Sequence, residues 1–236
     1  MSADVGLLRQ RAPLPLWRRH PDLAITLAGL LLLLAWDATG WDLAVMSLFG
    51  DARGFAWRDA FATSQLLHGG GRVLAWALLG ALAWAAWKAQ AGRGPGRAER
   101  WRWLGVVVLC VLAVPLLKQF SHTSCPWDLA QFQGVARYVP HWQWGISDGG
   151  PGRCFPSGHA VAAFGFFGLY FLWRGHDAQR ARRWLLAVLA MGLVYGIGQL
   201  LRGAHYPSHT LWSAWLCWAI CASAAWLMAS RPGVSR

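Results

Sequence analysis

Hydrophobic and polar positions are not interleaved along this chain. They are sorted into long blocks. Apolar runs long enough to cross ~30 Å of hydrocarbon recur. Six are read here, at 23–40, 71–90, 102–120, 158–173, 184–201 and 210–229. Each carries few charges or none, which no set of helices in a soluble core of this size requires. The fourth run is short and its start is poorly defined. The pattern predicts an all-α, six-transmembrane-helix bundle. It forms one membrane domain over 23–229, flanked by a basic N-terminus (1–22) and a short tail (230–236).

Composition agrees. Of 236 residues, 56% are hydrophobic and 14% charged, against roughly 45–50% and 25% in ordinary soluble domains. Disorder, a fibrous repeat and a small disulfide scaffold are excluded. The net charge of +12 suits nucleic acid, a membrane surface or an anionic substrate, and position along the chain decides among them. Arg9, Arg11, Arg18 and Arg19 precede the first run. Lys88, Arg93, Arg97, Arg100 and Arg102 lie between the second and third. Arg174, Arg180, Arg182 and Arg183 lie between the fourth and fifth, and Arg231 and Arg236 follow the sixth. That is 15 of the 22 Lys and Arg on one face. By the positive-inside rule this face is cytoplasmic and both termini are inside. The charge is then a matter of topology and anionic lipid. Nucleic acid is not an expected partner, and the bilayer is. A bacterial inner membrane is the expected location, with the opposite face periplasmic. No small-x-small cleavage site follows the first run, so it reads as a retained anchor rather than a signal peptide.

The outer face collects the remaining polar chemistry. His68, His122, His141, His159, His205 and His209 fall there, as do Lys118, Arg137, Arg153 and Arg202. The segment 39–70 reads as an amphipathic stretch lying under the headgroups, with Phe55, Trp57 and Phe61 beside Arg53, Arg58 and Asp59. The segment 121–157 is the longest stretch without helical periodicity. It is rich in aromatic, Cys and His residues, which favours an ordered, functional loop.

Three clusters sit at outer helix ends. Lys118 to Pro126 closes the third run. Cys154-Phe-Pro156-Ser157-Gly158-His159 opens the fourth. Arg202-Gly-Ala-His205-Tyr-Pro-Ser-His209 joins the fifth and sixth. A Pro-Ser-Gly-His run opening a helix offers free backbone N–H groups, a hydroxyl and a Gly that admits an anion closely. The plainer alternative is a Ser N-cap beside an interfacial His. His205 and His209 lie four apart and could share a helical face, as zinc ligands do, but no Glu lies between them and no Cys or carboxylate is adjacent. Lys118 could simply snorkel to the headgroups. Arg202, a cation at membrane depth, defaults to a functional reading. Taken together, cations and N–H groups suit a phosphate, and two imidazoles suit a nucleophile and a general acid. No Asp/Glu cage is evident, so the expected hydrolysis uses no metal and no cofactor.

At this point the residues resemble a family, over about 70–229. Lys118-x6-Cys125-Pro126, Pro156-Ser157-Gly158-His159 and the His205-x3-His209 segment look like the three motifs of the type 2 phosphatidic acid phosphatases. These are the lipid-phosphatase branch of the superfamily shared with the vanadium haloperoxidases. The resemblance implies a membrane phosphatase with a phosphohistidine intermediate, its active site at the periplasmic ends of spans three to six. His205 would attack phosphorus and His159 would protonate the leaving oxygen. Lys118, Ser157, Gly158 and Arg202 would hold the phosphate oxygens. The implied substrate is a phosphomonoester or diphosphate on a membrane lipid, and composition does not choose which. A phosphotransferase fed by isoprenyl diphosphate and an inactive lipid-binding relative are the alternatives.

The sequence departs from the family pattern in three places. Cys125 stands where the first-motif Arg is expected. The family's Ser-Arg of the third motif falls on Gly198 and Gln199, while Arg202 sits three residues before His205. His209 replaces the Asp that orients the nucleophile, and a neutral His could accept that hydrogen bond but stabilises an imidazolium less. Both cysteine-bearing motifs must converge on one phosphate if the site forms. That would bring Cys125 and Cys154 together, and an oxidising periplasm would bond them. Two free interfacial thiols are the alternative. Cys110, Cys217 and Cys221 fall within spans, as small hydrophobes.

Overall fold

The structure is a computed structural model that describes residues 21–90, 92 and 94–230. Arg9, Arg11, Arg18, Arg19, Arg93, Arg231 and Arg236, with most of the flanking segments, lie outside the described residues. The described chain is helical, with no strand beyond two isolated bridges. Helix α1 runs Pro21–Thr39 and α2 runs Trp41–Met46. A π-helical segment, Ala62–Gly70, continues directly into α3, Gly71–Trp87. Then come α4 (Arg97–Lys118), a broken helix made of α5 (Val161–Phe164), a 3₁₀ turn (Gly165–Phe167) and α6 (Gly168–Trp173), and finally α7 (Ala178–Leu201) and α8 (Pro207–Ala229).

Five of these helical stretches are long and apolar enough to cross a membrane: Pro21–Thr39, Ala62–Trp87, Arg97–Lys118, Ala178–Leu201 and Pro207–Ala229. Only 11–33% of each is buried in the protein. Most of their apolar surface therefore faces outward, which suits contact with lipid chains. The sixth, Val161–Trp173, is too short to be counted among them. It is instead the most enclosed. Phe164, Phe166, Phe167, Leu169, Phe171, Leu172 and Trp173 are all buried. They pack on Trp103, Val107, Cys110 and Val114 of α4 and on Cys217 and Cys221 of α8. A helix surrounded by other helices need not match the hydrocarbon thickness by itself. Close approach depends on small residues: a Cβ on Gly192 of α7 would sit 2.2 Å from the Phe164 ring.

The basic end of the bundle is tied together by local contacts. The Arg174 guanidinium pairs with Asp22 at 2.7 Å, and His176 meets Glu99 at 2.9 Å. The Arg100 and Arg180 guanidiniums lie 5.3 and 3.8 Å from the Trp173 ring centre.

At the other end the structure corrects the reading of 39–70. Its second part does not lie flat. Ala62–Gly70 forms the start of the second long helix, nine residues before the expected start at 71. Its first part is also anchored. Met46 and Phe55 are buried with Leu129, Phe132, Ala136 and Tyr206 in a second, smaller core. The physical reason is that Phe55 has a specific seat. Gly203, at φ +69°, presents bare backbone to the Phe55 ring, where any Cβ would come within 2.3 Å. Trp57 and Phe61 do remain exposed.

The loop 121–157 is ordered by buried polar contacts. The Asp148 carboxylate accepts from the Ser124 N–H at 2.5 Å and the Ser124 hydroxyl at 2.8 Å. Backbone bonds run from Arg153 N–H to Ser121 C=O (2.8 Å) and from Cys154 N–H to Thr123 C=O (2.9 Å). Trp127 N–H donates to Gly203 C=O at 2.9 Å, which ties this loop to the α7–α8 connection.

Candidate active site

The three motif clusters meet at one end of the bundle. Lys118 is the last residue of α4. Its Cδ would be 4.0 Å from a Cβ on Gly158, so the lysine stem passes the glycine that opens the broken helix. His159 follows, and its ring centre is 6.1 Å from that of His205. His205 sits between α7 and α8 and is 2% exposed. Burial pushes its imidazole well below the ordinary histidine range, and His209, Lys118 and His159 add to the effect. Burial likewise lowers His159, with help from His68, Lys118, Arg202 and Arg72, to about 3. Both imidazoles are therefore neutral at pH 7. A neutral His205 is what a nucleophile requires. A neutral His159 must gain a proton before it can serve as an acid.

The cysteine pair lies against this site. Cys125 and Cys154 are bonded in the structure, with Cα atoms 5.2 Å apart. The Cys154 sulfur is 3.5 Å from His205 Nδ1. The bridge occupies the place where the sequence lacks an arginine, and it touches the ring proposed to react. Cys110, Cys217 and Cys221 are free and buried.

Two expected roles look different in three dimensions. Ser157 is fully buried, and its groups are already paired: its N–H donates to His209 C=O at 3.1 Å, and its hydroxyl accepts from Ala160 N–H at 3.4 Å. It holds the motif to α8 and caps the broken helix. His209 lies with its ring centre 5.8 Å from that of His205, and the two share no hydrogen bond. Its Nδ1 is buried without a partner. A carboxylate from α1 also lies close to this region. Asp37 accepts from Trp212 Nε1 at 2.9 Å and lies 3.3 Å from His141 Nε2, and the His141 ring packs 5.8 Å from that of His209.

The structure also adds residues that the sequence reading left out of the site. His68, from the π-helical segment, lies 2.9 Å from Arg202 through Nδ1 and 3.2 Å from His159 through Nε2. Arg202 Nε donates to Arg58 C=O at 2.9 Å. The Arg58 and Arg202 guanidiniums both approach the Trp127 ring, at 4.7 and 5.6 Å from its centre. Asp42 of α2 is 4% exposed. It accepts from Ser208 N–H at 3.0 Å, from the Ser208 hydroxyl and from Trp36 Nε1 at 3.0 Å, which caps α8 just after His205. A π-helix at a functional site is a recognised pattern, and a histidine four residues before Arg72 beside three glycines was the signal available for His68.

Lysine, arginine and imidazole groups brought together at one end of the bundle are suited to a phosphoryl group. The model of the PAP2 superfamily matches residues 100–232, more than half of the chain. The chain belongs to the PAP2 superfamily. No curated protein and no solved structure matches it. Membership points to phosphatase chemistry, and the long apolar helices point to membrane association. His68, Arg58, Asp42 and Cys125 all lie in or against the site; of these, His68, Arg58 and Asp42 come from outside the matched span.

Proposed function

We propose that this protein is an integral membrane lipid phosphatase that hydrolyses a phosphomonoester or diphosphate headgroup through a phosphohistidine, without a metal. The carrying observation is the convergence of Lys118, Gly158, His159, Arg202 and His205 from three separated segments onto one end of a bundle of apolar helices.

In the first half-reaction Lys118, Arg202 and the backbone at Gly158 hold the phosphoryl oxygens. His205 forms the P–N bond as the P–O bond to the lipid breaks, and His159 gives a proton to the leaving oxygen. In the second, water attacks phosphorus as the P–N bond to His205 breaks, and His159 takes the water's proton. Arg58, placed beside Arg202 over Trp127, supports the positive corner from which the first-motif Arg is missing. Ser157 contributes by fixing Gly158 and His159 rather than through its own hydroxyl. His209 contributes by packing, because it shares no hydrogen bond with His205. The disulfide backs the nucleophile's ring at the position of the absent arginine. The basic end of the bundle faces the cytoplasm and the site faces the periplasm of a bacterial inner membrane, by the charge asymmetry described above.

The test is phosphate release by purified protein from a panel of detergent-dispersed lipids: phosphatidic acid, phosphatidylglycerol phosphate, isoprenyl diphosphate and phosphorylated lipid A. Turnover of at least one is expected, with an acid-labile phosphoenzyme that disappears in His205→Ala. His159→Ala should lose roughly 10²–10⁴-fold. Turnover retained in His205→Ala would refute the mechanism.

A further inference from the structure

We propose that His68 is a positioning residue that fixes the tautomer of His159 and relays to it the proton that the leaving oxygen receives. The proposal rests on the phosphohistidine reading above.

The direction of the hydrogen bonds follows from what each group can do. A guanidinium only donates. Arg202 Nη1 is 2.9 Å from His68 Nδ1, so that nitrogen accepts. A neutral His68 then carries its proton on Nε2. That atom faces His159 Nε2 at 3.2 Å, so His68 donates and His159 accepts. The two rings are close throughout, with centres 3.9 Å apart. It follows that the proton of His159 sits on Nδ1. That nitrogen is buried and has no partner among the described residues. It is the one donor on this ring left to meet a leaving oxygen. In the usual Asp–His arrangement a carboxylate sets the tautomer of the working imidazole. Here Arg202 sets it, acting through His68.

This arrangement also shows how a neutral His159 can work as an acid. A phosphate that draws the Arg202 N–H groups toward itself releases His68 Nδ1. His68 takes a proton from a hydronium or buffer acid in the solvent at Nδ1 and gives its Nε2 proton to His159 Nε2. His159, now protonated on both nitrogens, gives its Nδ1 proton to the leaving oxygen as the P–O bond breaks and His205 bonds phosphorus. One proton has entered from solvent acid and one has left on the alcohol. In the second half-reaction the P–N bond to His205 breaks as water bonds phosphorus, His159 Nδ1 removes a proton from that water, and the relay runs backward. His159 returns its Nε2 proton to His68, and His68 releases its Nδ1 proton to solvent. The groups facing His159 during this exchange are His68, Lys118, Arg72, Arg202 and His205. None is a carboxylate, so no other group among these is a ready base for the return step.

The experiment separates a relay from a mere prop by varying the leaving group. A p-nitrophenolate leaves without protonation, whereas the alkoxide of a lipid phosphate does not. Wild type, His68→Gln, His68→Ala and His205→Ala would be purified in detergent. Two rates would be measured for each: the first-turnover burst of p-nitrophenolate from p-nitrophenyl phosphate, and the single-turnover cleavage of phosphatidic acid in mixed micelles. For His68→Gln, which keeps a polar group of similar length but cannot relay, phosphatidic acid cleavage should fall about 10–10²-fold. Its p-nitrophenolate burst should stay within about 3-fold of wild type, since the acid contributes little there. Added imidazole should restore part of the loss in His68→Ala. Equal losses on both substrates, or full activity of His68→Gln on phosphatidic acid, would overturn the relay. A wild type that cleaves neither substrate, or a His205→Ala that cleaves both, would instead overturn the phosphohistidine reading, and the relay with it.

Discussion

Removing the Asp42 carboxylate should loosen the segment that carries the nucleophile. Its Oδ1 accepts from Ser208 N–H and Trp36 Nε1, and its Oδ2 accepts from the Ser208 hydroxyl. Ser208 is fully buried in the first turn of α8. In Asp42→Ala the hydroxyl can rotate and the half-buried indole can turn to another acceptor. The Ser208 N–H can do neither, because it is fixed by the helix. A hydrogen bond to a charged group is worth about 1.5–3 kcal/mol, and the carboxylate's attraction to the helix N-terminus adds about 0.3–1 kcal/mol. Partial losses at the other two donors bring the total to about 3–4 kcal/mol. For a chain of this size each kcal/mol moves Tm by about 2–4 °C. The Asp42→Ala protein should therefore melt at least about 6 °C lower, followed by tryptophan fluorescence in detergent. Asp42→Asn is the control. Its amide oxygen keeps both Oδ1 contacts, and its NH₂ can donate to a rotated Ser208 hydroxyl, so it should lose only about 1 kcal/mol. A melting point for Asp42→Ala within about 2 °C of wild type would refute this account. So would an Asn variant as unstable as the Ala one.

Three further outcomes are expected. Mass spectrometry without reductant should find Cys125 bonded to Cys154; opening that loop, which spans 29 positions, should cost ~3–4 kcal/mol of stability by loop entropy and slow turnover through the His205 contact, whereas free thiols at both positions would rule the bridge out. Turnover (kcat/KM) should rise as pH falls from about 8 to 5, because His159 titrates near 3 and gains protons on the way down while His205, also lowered by burial, stays neutral and nucleophilic; a loss of rate with a midpoint at the ordinary histidine value of 6.5 would contradict this. Chelation with EDTA should leave phosphate release intact, and activity lost to chelator and restored by zinc would replace the phosphohistidine with a metal-bound mechanism.

The sequence by itself determined the spans, the separation of basic and histidine-bearing ends, and the three motif clusters. Lipid allows only long apolar helices with internally satisfied backbones, so each long span is written as one uninterrupted block. The motifs are short because each is the end of one helix, and Lys118, His159, Arg202 and His205 are readable without knowing their neighbours. Cys125 and Cys154 stand beside two motifs expected to converge, and they are paired in the structure. What only the tertiary structure decided are contacts between blocks. His68 meets His159 and Arg202 across 91 and 134 positions. Asp42 caps Ser208 across 166. Phe55 finds the bare backbone of Gly203. No periodicity encodes such pairs, because each depends on how one helix end is rotated against another. The π-helical start of the second long helix shows the difficulty most directly. A π turn sets each residue at a different angle from an α turn, and that changes which face His68 occupies. The short fourth span was legible as short, but its enclosure was not. A run of Phe, Leu and Trp looks the same facing lipid as facing α4, α7 and α8, since both surroundings are apolar.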